Sequence, residues 1–290
     1  MHMRPDTKEY LNMPPELRDY ITESQEPGDG VFCAISAAGV NVFSSLRPCS
    51  AREAMALCLD SGIWPERFRL NRGILTAQAQ ATLLRSQVAV IGCGGLGGIL
   101  ALLLARAGVG ALTLCDGDIF TESNLNRQMF CYADTLGVNK AEAAAKELLR
   151  AAPYLSIRIV SEFAQETTLP GILADAGIAA DCLDNAPFRF ILEKAARDLG
   201  IPLVHAAIGG LNGFACVSNQ ENGCLRQIYG VHPPKHGTET QMGNPAITPS
   251  VVAAVQAWLV IRELVGMPGT SSRVWHLDLV EPELTAFYLT

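Results

Sequence analysis

The sequence predicts an α/β fold: a Rossmann-like, mostly parallel sheet with helices on both faces, extended by C-terminal antiparallel strands. Three observations predict it. From Val88 onward, short strand-like runs alternate regularly with helical patterns, the order that buries a parallel sheet between helices. A glycine cluster, Gly92-x-Gly94-Gly95-x-Gly97-Gly98, stands where the first of these strands meets the first helix. The late stretches "RVWHLDL" and "LTAFYL" read as two more strands.

Taken in order, residues 1–65 carry no strong periodicity and form an N-terminal appendage, apart from a short helix over Ser50–Asp60. Ser50 opens that helix with Glu53 three residues on, a capping box in which each side chain satisfies an orphan N–H. A connector and a further helix come next, with Thr76 placed to cap it. Strands are expected at Val88–Ile91, Leu112–Cys115, Ile157–Ser161, Ala179–Leu183, Leu203–Ala206 and Gly213–Val217. Helices are expected at Leu96–Ala107, Lys140–Ala151, Phe188–Leu199 and Ser250–Val265. Asn219–Pro249, rich in Gly, Pro, His and Asn, reads as a long loop of the kind that usually serves function.

Composition narrows the function classes. At 290 residues, with 49% hydrophobic and 18% charged residues, the chain can bury a large core. Its net charge of −7 and lack of a basic block argue against nucleic acid as a partner. The longest apolar run, around Ile99–Val109, is too short and too interrupted to cross a membrane, and the polar N-terminus lacks a secretion signal. A cytoplasmic protein is expected. Its nine cysteines, none in a C-x-x-C pair, then read as reduced and mostly buried thiols.

Glycines let backbone pass close to phosphate oxygens, and a helix start offers them free N–H groups. Asp116, about 20 residues on, suits the ribose of either a dinucleotide or ATP. Three residues further along the chain separate the two. Arg127, Lys140 and Asp184 fall near strand ends on the ligand side of such a sheet. Hydride transfer has no use for that set, whereas attack on an α-phosphate needs cations and a metal-holding carboxylate against the charge that develops.

In "GCGGLGG", "DGD", "SNLNRQ", "GVNKAEAA", "DCLDN" and "GNPAITPSVVAAVQA", in that order, the stretch from Gly92 to Gln256 resembles the ThiF/MoeB/HesA family, relatives of the ubiquitin-activating enzymes. The resemblance implies an adenylation domain over 66–290, with a nucleotide-binding half at 86–185 and a carrier-binding half with a crossover loop at 186–290. It implies adenylation of the C-terminal carboxylate of a small ubiquitin-like sulfur carrier of ThiS or MoaD type, with ATP and Mg²⁺, in thiamine or molybdopterin and tungstopterin cofactor synthesis. Gly92, Gly94, Gly95 and Gly97 would pass the phosphates and Asp116 would hold the ribose, with Asp118 and Asn185 in the same pocket. Asn124, Arg127 and Lys140 would contact phosphates, Gln128 would support the pocket, and Asp184 would bind Mg²⁺. Arg127, Lys140 and Asp184 would be the catalytic set. A homodimer is implied.

Three departures qualify this. "CLRQ" stands where relatives carry the first zinc-binding C-x-x-C, and no second pair comes after it, so zinc is not expected. "HGTETQMGNP" holds no cysteine where some relatives form a covalent link; Glu239 lies there, and Cys216 and Cys224 read as structural thiols. In "RFRLNR", Arg67 and Phe68 match the family's R-[FY]-x-R, but Leu70 replaces the arginine that reaches into a partner's site, leaving Arg69, Arg72 or no residue in that role. His205 reads as a hydrogen-bonded core or pocket residue, and His232 and His236 as solvated loop residues. Two alternatives stay open: a peptide or small-molecule carboxylate as acceptor, or an inactive partner-binding relative.

Overall fold

The computed structural model describes residues 13–25, 30–219, 223–230, 242–269 and 273–289. The expectations for the extreme N-terminus, His232, His236 and Glu239 lie outside the described residues. The chain divides into two compact units, Met1–Arg85 with Ala107–Gly110, and Ser86–Arg106 with Ala111–Thr290.

The first unit is more regular than its sequence suggests. Strands β1 (Ile21–Gln25), β2 (Val31–Ile35) and β3 (Ile63–Pro65) form a small sheet in that order. β1 and β2 are antiparallel and β3 joins β2 in parallel. Helices α1 (Ala37–Leu46) and α2 (Ala51–Asp60) connect β2 to β3. Half of the predicted capping box forms: Ser50 caps α2, accepting from the Glu53 N–H at 3.2 Å, while the Glu53 carboxylate turns to Arg85. The unit runs past residue 65 because α3 (Ala77–Arg85) packs on α2. Arg85 reaches Glu53 at 3.0 Å and Asp60 at 2.7 Å, and Gln80 is fully buried with its amide on the Ala107 carbonyl. Periodicity does not reveal these strands because the three of them are only three to five residues long.

In the second unit, one eight-stranded sheet has the order β11-β10-β9-β8-β7-β4-β5-β6. Its members are β4 (Gln87–Ile91), β5 (Ala111–Cys115), β6 (Ser156–Val160), β7 (Ile178–Asp181), β8 (Leu203–Gly209), β9 (Asn212–Ser218), β10 (Arg273–Asp278) and β11 (Glu283–Tyr288). From β6 to β8 every pairing is parallel, and from β8 to β11 every pairing is antiparallel. That change of direction is the predicted C-terminal extension. β4, β5 and β7 are almost wholly buried, as strands covered on both faces must be.

Helices α4 (Gly95–Ala107), α5 (Lys140–Ala151), α6 (Leu169–Leu173), α7 (Ala186–Asp198), α8 (Leu225–Tyr229) and α9 (Ile247–Leu264) complete the unit. α6 and α8, five residues each, are too short to show a period in the sequence. α9 corrects the membrane argument: by length and composition it could span a bilayer. Its place is instead against β8 and β9, where Val252, Ala253, Ala257, Leu259 and Val260 are buried. The fully buried Gln256 donates to the Asp181 and Val204 carbonyls at 2.9 and 3.0 Å, tying the helix to two strands. A single buried amide, and Arg262 near the end, mask the length of the apolar segment in the sequence.

Candidate active site

At the C-terminal ends of the parallel strands lies a cleft of about 610 Å³, where side chains and helix starts from different βα units converge. Its first wall is backbone. Gly92, with φ at 95°, turns the chain off β4, and its N–H bonds the Cys115 carbonyl at 2.8 Å. A side chain on Gly92 would stand 2.7 Å from the Cys182 carbonyl, so the turn tolerates none. Gly94 and Gly95 line the cleft with their backbone exposed to it.

Asp116 comes directly after β5 and faces the same turn. One oxygen accepts from the Cys93 N–H at 2.7 Å and the other from the Asp118 N–H at 2.9 Å. Burial raises its pKa, and these two N–H groups only partly offset that. Asn139 caps α5 and thereby sets Lys140 at its first turn, where the ammonium meets Asp118 at 2.5 Å. Burial alone would raise the Asp118 carboxyl, but the ammonium and the Ile119 N–H outweigh it and hold the group below its usual range.

Arg127 and Gln128 come from the loop between β5 and α5. Arg127 donates to the Ser123 carbonyl at 3.0 Å and to Asn126 Oδ1 at 2.8 Å, while its stem packs at the cleft edge. Gln128 is buried, and its Oε1 has no hydrogen-bond partner among the described residues. A buried acceptor left unsatisfied beside Gly94 marks a place where a donor is missing. Across the cleft, Asp184 and Asn185 come after β7; Asp184 is exposed, whereas Asn185 Oδ1 caps α7 through the Phe188 N–H at 3.0 Å.

Gly92, Gly94, Gly95, Asp116, Asp118, Arg127, Gln128, Lys140, Asp184 and Asn185 thus share one cleft. Two residues expected there do not line it. Asn124 is buried as a cap: its Oδ1 accepts from the Thr121 N–H at 3.0 Å, which shapes the loop that carries Arg127. Gly97 is a packing glycine, since a Cβ on it would lie 1.8 Å from the Gly92 carbonyl oxygen.

Two further residues of the cleft, Phe163 and Arg189, carry no signal in the sequence. Phe163, 69% exposed, lines the cleft beside Gly117. Arg189, only 3% exposed, lines it from α7. His205, as expected, is a hydrogen-bonded core residue, bonded to Asp181 at 2.7 Å. Burial pushes the Cys182 thiol at the cleft well above the usual range, with Asp181 adding to the effect, which disfavours its thiolate. Cys216 and Cys224 are buried with their sulfurs 2.9 Å apart.

In the first unit, Leu70 is 78% exposed, Arg69 pairs with Glu66 at 3.3 Å, and the Arg72 guanidinium stacks 3.4 Å over the Phe32 ring.

The ThiF family profile matches residues 69–289. A SAMP-activating enzyme E1 of Haloferax volcanii is 34% identical over 183 residues, 62% of this chain and 67% of that enzyme. The molybdopterin-synthase adenylyltransferase of Escherichia coli is 32% identical over 210 residues, 69% of this chain and 83% of that enzyme. The adenylyltransferase and sulfurtransferase MOCS3 of Drosophila yakuba is 35% identical over 194 residues, 66% of this chain but 43% of that protein, so the match spans less than half of it. Among solved structures, PaaA superposes with a TM-score of 0.60 at 22% identity, covering 82% of this chain and 72% of its own. The E. coli protein MccB, solved with ATP, gives 0.58 at 22% identity, covering 72% of this chain and 65% of its own. Such likeness concerns the fold.

Proposed function

The chain belongs to the ThiF family, and from that premise we propose that the cleft adenylates the C-terminal carboxylate of a small ubiquitin-like sulfur carrier of ThiS or MoaD type. The observation that carries the proposal is the convergence of Arg127, Lys140 and Asp184 on the cleft bounded by Gly94, Gly95 and Asp116. Relatives of 32–35% identity named as an E1 and as adenylyltransferases support it.

The chemistry follows from the residues. ATP threads past Gly94 and Gly95, where no side chain blocks the backbone, with its ribose toward Asp116 and its phosphates toward the start of α4. The Gln128 oxygen, orphaned in the buried wall, and an exposed carboxylate at Asp184 fit a polar ligand with a hard cation. Asp184 would hold Mg²⁺, which supplies charge stabilisation on the phosphate oxygens. The carrier's carboxylate is already ionised at neutral pH, so no general base is needed. It attacks the α-phosphorus, the bond to the β-phosphate oxygen breaks, and pyrophosphate leaves an acyl-adenylate. Arg127 and Lys140 offset the charge that spreads over phosphate and leaving group. In the resting site Asp118 holds the Lys140 ammonium, which the triphosphate draws across.

The proposal includes a homodimer, favoured by the exposure of Leu70 at 78% and Ile74 at 69% in the region of the family's partner-reaching arginine, and a cytoplasmic setting suited to free thiols. The adenylation test is carrier-dependent exchange between ATP and labelled pyrophosphate, using purified ThiS- and MoaD-like carriers. Exchange that needs Mg²⁺ and the carrier's terminal carboxylate, and that falls at least about 100-fold in Asp184→Ala, is expected. Undiminished exchange in Asp184→Ala, or exchange with free peptides but with no carrier, would overturn the reading.

A further inference from the structure

The exposed Asp184 side chain takes no hydrogen bond from the described residues that would fix it, yet the residue before it is gripped on both sides. The Leu183 N–H donates to Asp181 Oδ1 at 3.0 Å. The Leu183 carbonyl accepts from Arg189, from Nε at 3.2 Å and also from Nη2. Between these two grips the side chains close a circle. Asp181 Oδ2 meets His205 Nδ1 at 2.7 Å, His205 Nε2 meets the Tyr229 hydroxyl at 3.0 Å, and Arg189 Nη1 donates to that hydroxyl at 2.7 Å.

The directions of donation are mutually consistent. Arg189 can only donate, so Tyr229 accepts from it and donates its own proton to His205 Nε2. The Nδ1–H of a neutral His205 then points at the Asp181 carboxylate. Burial keeps His205 neutral by pulling its pKa down, against the pull of Asp181, and pushes the Tyr229 hydroxyl up. Asp181 and His205 are fully buried, and His205 stacks edge-on to Phe214 at 5.4 Å, so water does not compete for these bonds.

The members come from β7, the turn after it, α7, β8 and α8. Tyr229 is the most distant member along the chain, because α8 lies in the segment after β9. That helix is itself anchored: Glu193 accepts from the Leu225 N–H at 3.1 Å and from the Ser218 hydroxyl at 2.6 Å.

We propose that Asp181, His205, Tyr229 and Arg189 form a closed hydrogen-bonded ring around Leu183 that positions the Asp184 turn for the nucleotide's metal, with Tyr229 the positioning residue that ties this turn to α8. The inference rests on the adenylation reading for the role of Asp184. It assigns Tyr229 a task although Tyr229 does not line the cleft.

The test uses Tyr229→Phe, which keeps the ring packing and removes one hydroxyl, and His205→Gln as a second variant. Hydrogen–deuterium exchange reads the Leu183 amide directly, and ATP binding titrated against Mg²⁺ reads the metal without any carrier. Exchange at Leu183 about tenfold faster, with β4 amides unchanged, and a several-fold higher Mg²⁺ half-saturation are expected. ATP affinity at saturating Mg²⁺ should stay within about twofold, a split that a general loosening of the fold would not give. Unchanged Leu183 exchange in both variants overturns the ring, and faster exchange with an unchanged Mg²⁺ requirement overturns its positioning role. Wild-type protein that binds MgATP but shows no carrier-dependent exchange defeats the carrier assignment and leaves the ring to be judged by the variants. A wild type that binds no MgATP defeats both.

Discussion

The two walls of the cleft reach rigidity by opposite means. On the β4 side, Gly92, Gly94 and Gly95 present bare backbone, and Gly97 lets the first turn of α4 close down on the Gly92 carbonyl. On the β7 side, the backbone at Leu183 is fixed by side chains, through a buried carboxylate, imidazole and guanidinium and a half-buried phenol. The first wall holds its shape because nothing larger fits at Gly92 and Gly97, and the second because its polar groups bond one another. A wall of the first kind fails by steric overlap and one of the second by loss of a bond. The two should therefore break differently.

The largest effect is expected on the glycine wall. Gly97→Ala puts a methyl 1.8 Å from the Gly92 oxygen, which is backbone and cannot swing aside. It should cost about 3 kcal/mol or more, seen as a fall in Tm of roughly 6–12 °C or as insoluble protein. A Tm within about 2 °C of wild type would show that the turn relaxes, and the contrast between the walls would go. Gly94→Ala is the control. Its methyl would sit 3.6 Å from Gln128, an ordinary contact. Stability should move by less than about 1 kcal/mol, while ATP affinity falls about tenfold or more because the methyl stands where phosphate oxygens must pass.

This contrast also explains how far the sequence alone is legible. Gly92 to Gly98 and Asp116 can be read because they directly follow strand ends, and a turn that admits no side chain leaves its mark as glycine. The ring spans Asp181 to Tyr229, and none of its members is unusual alone. A hydrogen-bonded histidine is expected at His205, but its partners lie 24 residues away on either side and meet only when β7, β8 and α8 pack. Gly97 and Asn124 mislead for the converse reason. Motif spacing shows that a residue is constrained without showing whether a ligand or the turn itself constrains it. The small sheet of the first unit stays hidden because β3 is only three residues long.

For the ring wall the sharper probe is pH. His205 faces Asp181, Tyr229, Arg189, Glu193 and Cys216, and its pKa lies below the ordinary 6.5 because burial disfavours the cation. The unfolded chain therefore takes up a proton near 6.5 that the folded ring refuses. The contribution to stability is flat above that value and declines as pH falls below it, with a slope of at most about 1.4 kcal/mol per pH unit. Denaturant midpoints across this range should show the decline in wild type and lose that part of it in His205→Gln. An identical slope in the two proteins would mean that His205 takes up its proton as readily in the fold as in the unfolded chain, and on protonation its Nε2 would donate to the Tyr229 hydroxyl instead of accepting from it.

The smallest effect concerns the Lys140–Asp118 ion pair on the glycine side of the cleft. Asp118 is about half exposed, at 51%, while the Lys140 side chain it holds at 2.5 Å is only 9% exposed. An ion pair open to solvent on one side contributes little, so Asp118→Asn should cost below about 1 kcal/mol. The pair matters for the ligand instead. If Asp118 is the resting counter-ion of the Lys140 ammonium, its neutralisation leaves that ammonium to the triphosphate alone. ATP should then bind about two- to threefold more tightly, with the gain fading at high salt. A tenfold weaker affinity would place Asp118 on the nucleotide itself, and the glycine wall would then rely on a side chain for binding as the opposite wall relies on several for its shape.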